Sequence, residues 1–263
     1  MTYVFDETSR LRSDGNHVWV GLADPRQEAM VGMFGGWTAA LLLRAVLSDA
    51  IDQGSPSTLT VHFIKAITPG SEVKIRTQNI GGGRSLSIWQ AEVQVAGTKG
   101  VAAIATVVLS KRRESHSFTD MFMPSASPPE TLAEFQPPGK WGQFNIFRPS
   151  RGSPPFNQPD TRSLFWLRDR SGRPLDSLHL AYHSDNFPPR TWYLRPEPAP
   201  YSTITMSVYF HATEEDCAAA GNDYVLIDAF GTRAESSTAG ARANLWSRGG
   251  VLLATTEQMG WFR

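Results

Sequence analysis

Two stretches of this chain recur at long range. Ser57-Thr58-Leu59-Thr60-Val61 is echoed by Ser202-Thr203-Ile204-Thr205-Met206, and Gly100-Val101-Ala102-Ala103-Ile104-Ala105-Thr106 by Gly250-Val251-Leu252-Leu253-Ala254-Thr255-Thr256, at offsets of 145 and 150 residues. Both pairs read as strands. A period of that size is several times a solenoid repeat and close to an ordinary domain, so it predicts two copies of one folding unit in tandem. With 263 residues the chain is long enough to bury two such cores. Chemistry is expected where the second copy departs from the first.

Composition narrows the function classes. Hydrophobic residues make up 41% and charged ones 19%, the balance of a globular chain and not of a disordered one. The formal net charge is zero, so no overall field draws the protein to nucleic acid or to an anionic membrane. The aromatic residues are scattered over strands and not interleaved with basic ones, which argues against a base-stacking platform. Lys111-Arg112-Arg113 is a short cluster beside Glu114 and reads as a solvated strand exit. Cys217 is the only cysteine, which excludes an intrachain disulfide. It follows Glu214-Glu215-Asp216, neighbours that raise a thiol pKa, the wrong direction for a nucleophile. The N-terminal twenty residues alternate and carry charges, unlike a signal peptide. The longest apolar run, Trp37 to Leu43, is too short to span a bilayer. The expectation is a cytoplasmic protein without stable membrane insertion.

The opening segment to Leu22 alternates around Gly15-Asn16, a hairpin signal. Gly35-Gly36 then precedes Trp37 to Leu47, a run apolar on nearly every side, and a helix of that kind must be buried on every side by a sheet. Strand patterns follow at Leu59–Ile67, Glu72–Ile80, Leu86–Val95 and Val101–Leu109, punctuated by Pro69-Gly70, Gly81-Gly82-Gly83 and Gly97. From Glu114 to Asp160 prolines break any regular element, which predicts a surface linker with aromatic anchors at Trp141, Phe144 and Phe147. Beyond it come Ser163–Arg168, a helical stretch at Leu175–His183, and strands at Thr203–His211, Tyr224–Gly231, Ala241–Ser247 and Val251–Phe262. Each half reads as a buried helix followed by an antiparallel meander, an α+β class. The expected division is an N-terminal repeat at 1–113, a linker at 114–160 and a C-terminal repeat at 161–263.

Four segments carry a family likeness: Phe34-Gly35-Gly36, Val61-His62-Phe63 with Pro69-Gly70, Tyr182-His183-Ser184-Asp185-Asn186-Phe187, and Ala254-Thr255-Thr256-Glu257-Gln258. In that order, over nearly the whole chain, they resemble the type II (medium-chain) acyl-CoA thioesterases, whose fold is a double hot dog. The resemblance implies hydrolysis of fatty acyl-CoA to free acid and CoA, no cofactor, a homo-oligomer, and a catalytic Asp, Thr and Gln at Asp185, Thr203 and Gln258. Gly35, Gly36 and Trp37 then fall at a substrate-binding helix start. Trp37 stands where members of the family often have Gln. Asn186-Phe187-Pro188-Pro189-Arg190 is stiffer than the usual apolar segment, and Thr205 replaces an acidic residue.

Such a trio suits the chemistry. A thioester is already activated, so its hydrolysis needs a held water and an electrophilic pull on the carbonyl, not a protein nucleophile. Asp185 can accept the proton while Thr203 and Gln258, each with donor and acceptor, fix the water. An amide at the start of a buried helix supplies an oxyanion donor, and Gly35 and Gly36 let an acyl group approach it. Comparison of the copies points the same way: Gln258 aligns with Val108, and no acidic residue stands at the first helix start opposite Asp185. Thr203 aligns with Thr58 and is less distinctive.

Other features read more plainly. His62 on a strand is a structural histidine before it is a base. His179 and His183 share a helical face at metal-ligand spacing, but no third ligand is near, so no metal is expected. Gly81-Gly82-Gly83-Arg84-Ser85 joins two strands and lacks a phosphate-loop pattern; it reads as a hairpin turn, with Arg84 in reach of a CoA phosphate. Two competing functions are a non-catalytic acyl-CoA or acyl-lipid binding protein and a hot dog enoyl-CoA hydratase or dehydratase, the latter needing an Asp/His pair.

Overall fold

Burial patterns convert these segments into eighteen elements in the computed structural model, which describes residues 2–154, 156, 158–194 and 200–263; Pro155, within the segment read as a linker, lies outside them. The first half runs α1 (Val4–Thr8), β1 (Leu11–Ser13), β2 (Val18–Leu22), a two-residue ribbon β3 (Glu28–Ala29) and β4 (Gly32–Met33), α2 (Gly35–Asp49), β5 (Ser55–Phe63), β6 (Glu72–Gly82), β7 (Leu86–Val95) and β8 (Val101–Ser110). The second runs β9 (Asn145–Arg151), β10 (Ser163–Asp169), α3 (Ser177–His183), β11 (Tyr201–Phe210), α4 (Glu214–Ala220), β12 (Val225–Glu235), β13 (Thr238–Ser247) and β14 (Leu252–Phe262).

The Ala- and Leu-rich run forms α2, and its faces are covered by β5 through β8 and by α3. Trp37, Leu42 and Leu43 are completely buried. Each large apolar side chain removed from water in this way contributes roughly 1.5–3 kcal/mol. The helix begins without a side-chain cap, since Phe34 precedes it in extended backbone and makes no capping bond. Its first amide groups are therefore left for other partners.

All main strands join one antiparallel sheet in the order β1-β2-β6-β7-β8-β5-β11-β14-β13-β12-β10-β9. The order is palindromic about the β5–β11 seam. There the two copies pair edge to edge, Leu59 opposite Val208 and Val61 opposite Met206. Pairing the inner edges removes two exposed sheet edges at once. The β9–β10 pair holds at one end of the sheet the place that β1–β2 holds at the other. The expectation that 114–160 carries no regular element is thus corrected for residues 145–151. Pro149 is tolerated because β9 is an edge strand, whose outer side needs no ladder donors.

Register also corrects the repeat alignment. An offset of 145 sets Leu59 against Ile204, yet Leu59 is fully buried and Ile204 is 41% exposed. Matching the inward faces pairs Leu59 with Met206 instead. That register also superposes the two irregularities in the ladders, between Pro56 and Thr58 and between Thr203 and Thr205. Because Leu59 pairs with Val107 and Met206 with Gln258, the counterpart of Gln258 is Val107 and not Val108. Thr203 then corresponds to Pro56 and not to Thr58.

Candidate active site

Asp185 follows α3 by two residues. Its backbone position is set by the helix end: Ser184 N–H donates to Leu180 O at 3.0 Å, Ser184 Oγ to the same carbonyl at 2.8 Å, and Asn186 N–H to His183 O at 3.0 Å. Because α3 packs on α2, this turn meets the first residues of α2. A Cβ on Gly35 would stand 2.6 Å from Asp185 Oδ2, and one on Gly36 2.3 Å from Tyr182 O. Both glycines are needed for this close approach. Asp185 is therefore a direct neighbour of the Gly35-Gly36 helix start. The site draws on both repeats, so the first is a wall of it and not only a scaffold.

Gln258 comes from β14, on its inward face. Its Nε2 donates to Asp185 Oδ1 at 2.9 Å, with Ser184 O at 3.3 Å and Met206 Sδ at 3.4 Å as further contacts. Burial pushes the Asp185 carboxyl up to about 7, against the Gln258 bond and the weaker interaction of the Gly36 N–H, which both favour the charged form. The positive end of the α2 dipole works in the same direction as these two donors. A carboxyl titrating near neutrality is suited to taking a proton at physiological pH.

Asp185 opens on a cavity of about 360 Å³, a size typical of small-molecule sites. Thr203, Gly35 and Gln258 line it together with Asp185. Thr203 makes no hydrogen bond to Asp185 or Gln258 among the described residues. The remaining wall is largely apolar and aromatic: Phe34, Phe63, Phe135, Trp141, Phe165 and Phe187 all contribute. Two of these, Phe135 and Trp141, come from the segment read as a linker, which thus closes the cavity. Phe34 and Trp141 stack with centroids 4.1 Å apart.

The other expected binding residues lie elsewhere. Trp37 does not line the cavity; it is buried against α1, its Nε1 donating to Thr8 O at 3.0 Å. Arg84 lines a second, polar concavity with Gln53, Asn79 and Lys111, beside the Ser55 end of β5. The main cavity is at the opposite, Phe63 end. His62 is exposed on the outer sheet face. His179 and His183 are buried with ring centroids 4.1 Å apart, and burial holds both well below their usual pKa, hence neutral. His183 Nδ1 is engaged by Asn186 Nδ2 at 2.9 Å. Cys217 is buried, its thiol pushed up to about 11. Among the described residues no helix is long and apolar enough to cross a membrane.

Tyr201 and Thr38 also line the cavity and were not picked out by sequence. Tyr201 was within reach: it stands two residues before Thr203 on the same strand, so strand periodicity puts both on one face.

A helix wrapped by a curled antiparallel sheet, twice in one chain with the sheets joined, is a double hot dog, and here it places a carboxylate beside a helix start over an apolar cavity. The chain belongs to the acyl-CoA thioesterase family: residues 24–110 match the model of the acyl-CoA thioesterase N-terminal domain and residues 124–262 that of the C-terminal domain. It is similar to a conserved hot dog protein of unknown function from Alicyclobacillus acidocaldarius, with 33% identity over 100% of this chain and 99% of that one, at a TM-score of 0.94. An acyl-CoA thioesterase II from Mycobacterium marinum shares the fold at 18% identity, covering 99% and 98% of the two chains with a TM-score of 0.79. A dehydratase domain from Mycobacterium tuberculosis, solved with C12:1-CoA, aligns at 14% identity over 98% and 99% with a TM-score of 0.58. No curated protein matches the chain.

Proposed function

We propose that this protein hydrolyses acyl-CoA to the free acid and CoA, with a water activated by Asp185. The observation that carries the reading is the Asp185 carboxyl itself, held by Gln258 at 2.9 Å, raised to about 7, and open to an apolar cavity. The acyl chain occupies the apolar wall and the thioester carbonyl lies above Asp185. Asp185 takes a proton from the water, whose oxygen adds to the carbonyl carbon; collapse of the adduct expels the thiolate. Gln258 Nε2 donates to Asp185 and to Ser184 O, so its first role is to orient the carboxylate, with its amide oxygen left to accept from the water. Thr203 Oγ1 supplies the second contact to that water. We assign residues 1–113 and 161–263 as the two repeats, with 114–160 adding β9 and part of the cavity wall.

A hydratase or dehydratase reading is disfavoured by the histidines: His62 faces outward and His183 Nδ1 is engaged with Asn186, so neither forms an Asp/His pair with Asp185. The test is thiol release from acyl-CoAs of increasing chain length by the purified protein. Turnover is expected for at least one length. Retention of acyl-CoA without thiol release at any length would favour a binding protein and sink the hydrolase.

A further inference from the structure

The oxyanion donor in this site needs identifying, because the Gly36 amide at the start of α2 is already directed to Asp185. Tyr201 offers another. Its side chain lines the cavity with Asp185, Thr203 and Gln258. The ring leans across the ladder onto β14: a Cβ on Gly260 would stand 2.0 Å from Tyr201 Oη. Gly260 follows Gln258 by two residues, so both share the inward face of that strand. In the register that superposes the two copies, the first repeat has Gly54 and Leu109 where the second has Tyr201 and Gly260. The large residue has moved from one strand to the other, and the exchange brings a phenol into the cavity of the second copy.

The hydroxyl has no hydrogen-bond partner among the described residues, and the side chain is only partly buried. Burial and the nearby Asp185 charge push the phenol up to about 12, with Arg190 acting in the opposite direction, so at neutral pH it keeps its proton. A protonated phenol is a donor, and this one stands on the wall of the same cavity as Asp185, Thr203 and Gln258.

We propose that Tyr201 is a catalytic residue whose Oη–H donates to the thioester carbonyl oxygen as that oxygen becomes the tetrahedral oxyanion. This rests on the thioesterase reading. In the step, water oxygen bonds to the carbonyl carbon, its proton passes to Asp185, and the π pair moves onto the carbonyl oxygen against the Tyr201 O–H, which is shared and not transferred. On collapse the pair returns, the C–S bond breaks, and the thiolate leaves with the electron pair to be protonated from Asp185 or solvent.

Tyr201→Phe removes only the hydroxyl and keeps the ring over Gly260. Loss of one oxyanion donor lowers kcat by about 10²-fold, with KM changed less than a few-fold. A second readout does not depend on turnover: the infrared carbonyl stretch of a bound octanoyl-CoA analogue whose sulfur is replaced by CH₂. It is expected at lower frequency on the wild type than on Tyr201→Phe. A wild type that turns over while Tyr201→Phe keeps its kcat, or loses only KM, overturns the role of Tyr201 and leaves the thioesterase reading intact. A wild type without turnover fails that reading instead, and equal carbonyl frequencies on the two proteins then overturn the donor independently.

Discussion

Removing the Gln258 amide tests the electrostatics of the site where they are best defined. Gln258 is 6% exposed and donates to Asp185 Oδ1 at 2.9 Å. A buried hydrogen bond to a charged group contributes about 1.5–3 kcal/mol. At 1.36 kcal/mol per pKa unit, its loss in Gln258→Leu raises the carboxyl by about 1–2 units from its value near 7. At pH 7 the wild-type carboxyl is close to half ionised, and in the variant roughly 1–10% is. The assay is thiol release from octanoyl-CoA between pH 5.5 and 9.5, corrected for spontaneous hydrolysis, with kcat/KM plotted against pH. The acidic limb is expected to move upward by about 1–2 units, so that the deficit at pH 7 shrinks as pH rises. A limb that stays near pH 7 or moves down would refute the claim that this amide holds the Asp185 charge.

Two further outcomes follow from the same geometry. Asp185 has a folded-state pKa above its unfolded value, so between about pH 4 and pH 7 the folded state holds the proton that the unfolded state has lost, and stability falls as pH rises through that window. Asp185→Asn abolishes this loss; discounted for the opening onto the cavity, the variant gains roughly 2 kcal/mol over wild type at pH 8 and little at pH 4.5, read as the difference in Tm, and an equal difference at both pH values would contradict it. Thr203→Val keeps the strand and the side-chain shape and is expected to lower kcat by about 10-fold or more through loss of one water contact, with unchanged Tm; an unaltered kcat would remove Thr203 from the mechanism.

Much of the fold was legible because burial here follows simple periods. The all-round apolar run fixed α2 to within two residues of its start, and β7 was bounded correctly at Leu86 and Val95 by glycine-rich turns on both sides. The elements that escaped have identifiable causes. β9 contains Pro149, which reads as a breaker until its edge position is known. α4 opens with a capping box between Thr213 and Asp216, and at seven residues it is too short to show a helical period in the sequence.

The site was legible in its residue types and less so in its assembly. Asp185 and Gln258 are 73 positions apart, and no local pattern announces their hydrogen bond. The sequence echoes lie two residues out of register for β5 and β11 and one residue out for β8 and β14, because strands of Thr, Ser and aliphatic residues look alike at several offsets; only the faces and ladder irregularities separate them. That slip hid the exchange between Tyr201 and Gly260. The role of the segment 135–147 was invisible for a different reason. Phe135 and Trp141 wall the cavity through contacts between distant elements, which proline-rich composition conceals.

The most direct measurement is kcat for Asp185→Asn against wild type on a thioester that the wild type cleaves, at pH 8 where the wild-type carboxyl is mostly ionised. Loss of the base that activates the water predicts a fall of about 10²–10⁴-fold, with the variant folded and still binding substrate. Turnover within a few-fold of wild type would contradict the account at its centre.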